Sequence, residues 1–143
     1  MKVILDIETD GFNPSKIHCI VAKNVDTNLV TVFDPDTMYS FNSWAKKVDK
    51  FIMHNGLSFD APVLNRLLGT GITPDKIIDT LILSQLFNPI REKGHSLRAW
   101  GEKLNMLKGG EDVNFSKYDF NMLNYCKQDV EITHAVYNEL IKE

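Results

Sequence analysis

Lys2-Val3-Ile4-Leu5-Asp6-Ile7-Glu8 stands at the head of the chain, and the rest of the sequence is organised around it. Its β-branched and aliphatic residues predict the first strand of a core sheet. On a strand, residues two apart point to the same face, so Asp6 and Glu8 project together. Two carboxylates side by side repel, which raises one pKa and costs stability unless a cation sits between them. The plain alternative has one of the two capping the loop at Asp10-Gly11.

Outward from that strand, Gly11 to Ser15 reads as a turn. Ile17 to Val25 and Leu29 to Phe33 are β-rich and separated by Asp26-Thr27-Asn28, so strands one to three form an antiparallel meander. Ser40 to Val48 has helical spacing in Phe41, Trp44, Ala45 and Val48. Lys50 to Met53 is a fourth strand, ending at His54-Asn55-Gly56. A helix from about Phe59 to Leu68 follows, with Gly69 as its C-cap. Lys76 to Ile78 is a short fifth strand. Asp79-Thr80 opens a helix to about Phe87, stopped by Asn88-Pro89. Ser96 N-caps a helix to Leu104. Asn105 to Ser116 reads as a mobile loop, and Asp119 to Lys142 as a long helical stretch bent near Cys126 to Asp129. The order predicts an α/β fold, a five-stranded mixed sheet with antiparallel strands 1–3 and parallel strands 4–5, flanked by helices on both faces.

The length of 143 residues suits one domain, and 43% hydrophobic with 24% charged residues is the composition of a globular protein. No apolar run is long enough to span a membrane. After Met1-Lys2 the chain enters the acidic strand directly, which argues against a cleaved signal peptide and for a cytoplasmic location. Cys19 and Cys126 are too far apart and too few for a disulfide framework or zinc spacing, and read as reduced core thiols. The net charge of −3 speaks against a stable duplex-DNA-binding module. It does not speak against an enzyme that holds phosphates through metal ions.

More carboxylates arrive downstream. Asp60 opens the helix after the fourth strand, where an acid also suits the helix dipole. Tyr125 and Asp129 are four apart in the last helix and share a face; the plain alternative is a surface Asp beside a half-buried Tyr. The set Asp6-x-Glu8, Asn55 to Asp60 and Tyr125-x-x-x-Asp129 resembles the three motifs of the DEDD exonuclease superfamily in its tyrosine-bearing branch. Ile78 to Ser84, His95 to Gly101 and Tyr125 to Thr133 look like the proofreading domain of podophage family A DNA polymerases. The resemblance covers nearly the whole chain. It departs at Glu143, where that family continues into a polymerase domain; residues 1–143 are therefore expected to be a single exonuclease domain, either free-standing or half of a polymerase.

The resemblance implies a ribonuclease H-like fold and a 3′→5′ exonuclease acting on single-stranded DNA or frayed 3′ ends, in a bacterial host's cytoplasm if phage-encoded. It implies two Mg²⁺ or Mn²⁺ ions held by Asp6, Glu8, Asp60 and Asp129, with Asp6 bridging. Four acids without a His or Cys ligand suit such hard cations. Tyr125 would orient the attacking water; with an ordinary pKa near ~10 it is read as a positioning group. The alternative is a tyrosine packed with its hydroxyl on a backbone carbonyl. Thr9, Phe12 and Asn55 would meet the terminal nucleotides, Phe12 by stacking; their alternatives are core packing for Phe12 and loop closure for Asn55. His54 is read as structural and Asp79 as an N-cap. His95 is left between a phosphate contact and a structural role. Arg91, Lys93, Arg98, Lys103 and Lys108 form a basic cluster that either guides phosphate or is simply solvated. A separate DNA polymerase subunit is a further expected partner. An exoribonuclease of the same superfamily and a non-catalytic binding module are the rival functions.

Overall fold

The computed structural model describes residues 1–110 and 112–142. Five strands run in the order β3-β2-β1-β4-β5: β1 Lys2–Thr9, β2 Ile17–Asn24, β3 Val30–Phe33, β4 Lys50–Met53 and β5 Ile77–Asp79. β1, β2 and β3 pair antiparallel, whereas β4 pairs parallel with both β1 and β5. The mixed sheet read from the sequence is therefore the sheet observed. β1 is central, so its residues are flanked by hydrogen-bonded neighbours on both edges.

Alternation along β1 sorts the core. Val3, Leu5 and Ile7 face α1 (Phe41–Ala45) and α2 (Ala61–Leu68), packing with Phe41, Phe51, Met53, Val63 and Leu64. Ile4 faces the other way, with Cys19, Val21 and Ile52, against Met122, Cys126 and Val130 of α5 (Phe120–Leu140). Asp6 and Glu8 share the parity of Ile4 and so lie under α5. A third cluster joins α5 through Ile132, Val136 and Leu140 to Leu97 and Trp100 of α4 (Leu97–Lys103), with Leu83 of α3 (Thr80–Phe87) against it. No helix among the described residues is long and apolar enough to cross a membrane.

Several boundaries differ from the expectation. The helix expected over Ser40 to Val48 is regular only at Phe41–Ala45, with a 3₁₀ turn at Met38–Ser40 before it. After it, Lys47 and Val48 donate to the carbonyls of Trp44 and Ala45 (3.0 and 3.1 Å), a 3₁₀ tightening that still delivers Val48 to the core. The helix expected from Phe59 begins at Ala61, because Gly56–Asp60 winds as one π turn. Lys76 belongs to a 3₁₀ turn rather than to β5. α5 runs as one uninterrupted helix through Cys126 to Asp129.

Candidate metal centre

At the end of β1 the pairing with β2 passes from Glu8↔Cys19 to Thr9↔Ile17, leaving His18 outside the register as a bulge. A bulge beside a site re-aims a side chain. Here the fully buried His18 ring bonds the Phe115 carbonyl through Nε2 (2.8 Å). The Phe115 ring in turn meets Tyr125 edge-on, centroids 6.1 Å apart. On α5, Asp129 and Tyr125 lie one turn apart, facing the sheet.

Asp60 arrives by a different route. β4 ends in a sharp turn in which Asn55 takes a left-handed conformation (φ 69°) and Gly56 passes close over β4. A Cβ on Gly56 would lie 2.4 Å from the Met53 Cβ, so only glycine fits. The turn is pinned from β5. The Asp79 carboxylate accepts from the amides of Asn55 (2.9 Å) and Leu57 (3.1 Å) while also N-capping α3 through Leu81 (3.0 Å). Sequence reading found the cap; the clamp on the β4–α2 turn depends on β4 and β5 being neighbours, and no local signal announces it.

The structure thus brings Asp6, Glu8, Asp60, Asp129 and Tyr125 to one place. Burial pushes the Asp6 carboxyl well above the usual carboxylate range, and the neighbouring charges of Glu8 and Asp129 push it further. Burial likewise raises Glu8 to about 8, with Asp129 adding to it. Burial raises Asp60, reinforced by the charges of Asp6 and Asp79. Asp129 rises to about 6 through burial, held back by the Lys108 ammonium. The plain reading of Asp129 as a surface residue fails: it is 4% exposed.

The donor set fits hard divalent cations. Asp60 Oδ2 and Asp129 Oδ1 are buried carboxylate oxygens without a hydrogen-bond partner, a costly arrangement unless something positive binds them. Asp6, Glu8 and Cys126 turn ligand atoms to within 4.8 Å of one another. The single Cys126 S–H is within reach of both Asp6 Oδ2 (3.4 Å) and the Asp6 carbonyl (3.5 Å). Read from sequence as a core thiol, it is buried and also props the central carboxylate.

Lys108 is the residue whose place the sequence least foretold. Grouped there with the basic cluster, it reaches into the centre: its ammonium donates to Asp129 Oδ2 (3.0 Å) and to the Tyr125 hydroxyl. Tyr125 therefore does not rest on a backbone carbonyl. Arg91 and Lys103 instead lie over the Trp100 ring, at 3.5 and 5.1 Å from its centre.

Thr9 is buried, its hydroxyl donating to the Gly11 carbonyl (2.9 Å). Phe12 is fully exposed at the tip of the β1–β2 turn, so its core-packing alternative is overturned. His54 Nε2 bonds the His95 carbonyl (2.9 Å), which fixes that nitrogen as the donor and leaves Nδ1 to accept from Thr80 (2.8 Å). His95 Nδ1 pairs with the Ser84 hydroxyl (2.6 Å), which also accepts from the Trp100 indole (3.0 Å). These bonds tie His54 and His95 into one network with Thr80, Ser84 and Trp100.

No protein-family model matches the chain. It is 24% identical to the DNA-directed DNA polymerases of Escherichia phage T7 and Enterobacteria phage T3, each over 187 aligned residues. Those alignments cover 99% of this chain and 27% of each polymerase, so the chain spans little more than a quarter of their length. Among solved structures, the family B DNA polymerase of the hyperthermophilic archaeon Pyrobaculum calidifontis superposes with a TM-score of 0.72 at 16% identity, over 98% of this chain and 24% of that one. The Aedes aegypti Nibbler EXO domain gives 0.72 at 14%, over 99% and 78%. Exonuclease X in complex with 5′-overhanging duplex DNA gives 0.56 at 16%, over 97% and 92%. The fold is ribonuclease H-like, and in sequence and fold the chain resembles the DEDD 3′→5′ exonuclease superfamily.

Proposed function

We propose, from that resemblance and from the geometry of the centre, that the chain is a metal-dependent 3′→5′ exonuclease. Its reaction is hydrolysis of the terminal phosphodiester bond of DNA, at single-stranded or frayed 3′ ends, releasing nucleoside 5′-monophosphates. The observation that carries the reading is the convergence of four acids from β1, the β4–α2 turn and α5, two of them with unpartnered buried oxygens.

Asp6, Glu8, Asp60 and Asp129 would hold two divalent cations, Mg²⁺ or Mn²⁺, which when bound supply positive charge to the attacking and departing oxygens. Burial lifts the Tyr125 pKa above its ordinary value. The phenol therefore keeps its proton at neutral pH, and its part is to orient water rather than to remove a proton. The Asp79 clamp fixes the turn that carries Asp60, which keeps that carboxylate in position without a conformational search. Asn55, on the same turn, and Thr9, next to Glu8, would meet the terminal nucleotide. Phe12 offers an exposed ring for stacking on a base. The sequence relatives are DNA polymerases, so association with a polymerase module belongs to the proposal.

A 5′-labelled single-stranded DNA oligonucleotide, incubated with Mg²⁺, with Mn²⁺ and with EDTA, tests the reading. The expected result is a descending ladder that needs metal and disappears in Asp6→Ala. A ladder on the matching RNA strand alone would transfer the reading to an exoribonuclease. No metal-dependent products from either strand would leave a binding module.

A further inference from the structure

Lys108 places a positive charge inside the acidic centre. Beyond its contacts with Asp129 and the Tyr125 hydroxyl, its ammonium lies 4.1 Å from the centre of the Tyr125 ring. The Lys108 side chain is 15% exposed and that of Asp129 only 6%. Burial pulls the lysine's pKa down, but the charges and hydrogen bonds of Asp129 and Tyr125 together outweigh it and raise the pKa above its ordinary value.

The backbone on either side of Lys108 is fitted to this position. Met106 donates its amide to the Gly101 carbonyl (2.7 Å), and the Gln128 side chain donates to the Leu107 carbonyl (2.9 Å). The Arg98 guanidinium donates to the Gly109 carbonyl (3.5 Å). Gly109 and Gly110 both take positive φ, and Gly110 packs against the Tyr125 ring, where a Cβ would be 2.5 Å from a ring carbon. The segment 106–110 therefore covers Tyr125 and Asp129 together. One oxygen of Asp129 is bonded to the lysine, while the other has no partner.

We propose that Lys108 is a tethered, displaceable cation: it occupies Asp129 in the metal-free protein, competes with the divalent ion for that carboxylate, and lifts away with segment 106–110 when the ion binds. This rests on the metal-dependent reading above. An ammonium and a divalent ion on one carboxylate repel each other strongly in a site shielded from water. The lysine is followed by Gly109-Gly110 on a segment outside the regular elements, held by a few hydrogen bonds, so it yields more readily than Asp129 within α5. Its departure also frees the Tyr125 hydroxyl to bind water, coupling metal occupancy to the readiness of the positioning residue.

Mn²⁺ binding measured by the electron paramagnetic resonance of free ion tests the competition without any turnover. Lys108→Met is compared with the wild type and with Lys46→Met, a change at an exposed position on α1's far end. The expected result is Mn²⁺ affinity raised about tenfold or more by Lys108→Met. Lys46→Met should move it less than about twofold, since distant exposed charges are screened. Equal or weaker binding by Lys108→Met would overturn the competition. Absence of Mn²⁺ binding by the wild type and both variants would instead overturn the metal reading, and the competition with it. Trypsin adds a readout on the unaltered chain: cleavage after Lys108 should quicken on adding Mg²⁺. Unchanged or slower cleavage at that bond contradicts displacement.

Discussion

On one face of the sheet, Val3, Leu5 and Ile7 meet α1 and α2 through a cluster in which Phe41 and Leu64 are wholly buried and the rings of Phe33, Phe41 and Trp44 touch at 5.1 to 5.8 Å. On the other, the same strand presents Asp6 and Glu8 to α5, among carboxyls that burial has driven up to about 6 for Asp129 and about 8 for Glu8. The first face gains free energy from every contact it makes. The second carries orphaned oxygens and crowded charge, relieved in part by Lys108. One strand can serve both because its side chains alternate, so the apolar face supplies the stability that the acidic face gives up. Strain confined to one face is the arrangement expected of a site prepared for an ion.

The strongest way to break that contrast is to remove one carboxylate. Asp6→Ala should lower metal-dependent nuclease activity by about 10³-fold or more. In EDTA its melting temperature should equal or exceed that of the parent, because one of several crowded acids is gone. Melting well below the parent would mean that Asp6 is a structural residue. Phe41→Ala asks the opposite question of the opposite face. A fully buried ring should cost about 3–5 kcal/mol in urea unfolding, while Mn²⁺ affinity of the folded protein stays unchanged. A large loss of Mn²⁺ affinity would show that the two faces are coupled.

The apolar face was the more legible of the two. Helical spacing at Phe41, Trp44, Ala45 and Val48 announces which residues point inward: Phe41, Ala45 and Val48 are buried, and Trp44 packs partly buried against them. The acidic face was legible where a motif repeats a spacing, as in Asp6-x-Glu8 and Tyr125-x-x-x-Asp129. It was opaque where the partners meet only through the fold. Asp79 reads as a cap because its bond to Leu81 is local; its bonds to Asn55 and Leu57 span 24 and 22 residues. Lys108 reads as one charge among five because nothing near it in sequence reveals an Asp 21 residues away. His18 owes its inward turn to a bulge that composition does not mark.

Acidity offers a graded test of the same contrast. A carboxyl whose pKa is raised on folding binds more protons in the native than in the unfolded state between the two values, so stability falls as pH rises through that interval. For Glu8 the interval runs from 4.5 to about 8, and for Asp129 from 3.8 to about 6. In EDTA the melting temperature should therefore decline by about 5 °C or more from pH 5 to pH 8. Saturating Mg²⁺ should flatten or reverse the decline, because the ion favours the ionised carboxylates. A melting temperature that rises through this window in EDTA would show that the acids are already compensated without metal.

The smallest expected effect lies at the rim. Phe12 contributes nothing to either packed face, since its ring is fully exposed. Single exposed apolar residues are ordinary, and Tyr39 and Leu107 are exposed as well. What distinguishes Phe12 is a braced turn directly after the acidic strand. Thr9 bonds the Gly11 carbonyl, and the Asp10 carboxylate accepts from the amides of Ser15 (3.0 Å) and Lys16 (3.2 Å). A rigid turn that holds an aromatic ring in water, beside a centre read as acting on nucleic acid, suits stacking on a terminal base. Loss of one such contact costs about 1–3 kcal/mol. Phe12→Ala should accordingly raise KM for a single-stranded oligonucleotide by roughly tenfold, with kcat little changed and the melting temperature unmoved. An unaltered KM would return Phe12 to the ordinary exposed residues and leave the acidic face without a base-stacking contact at that turn.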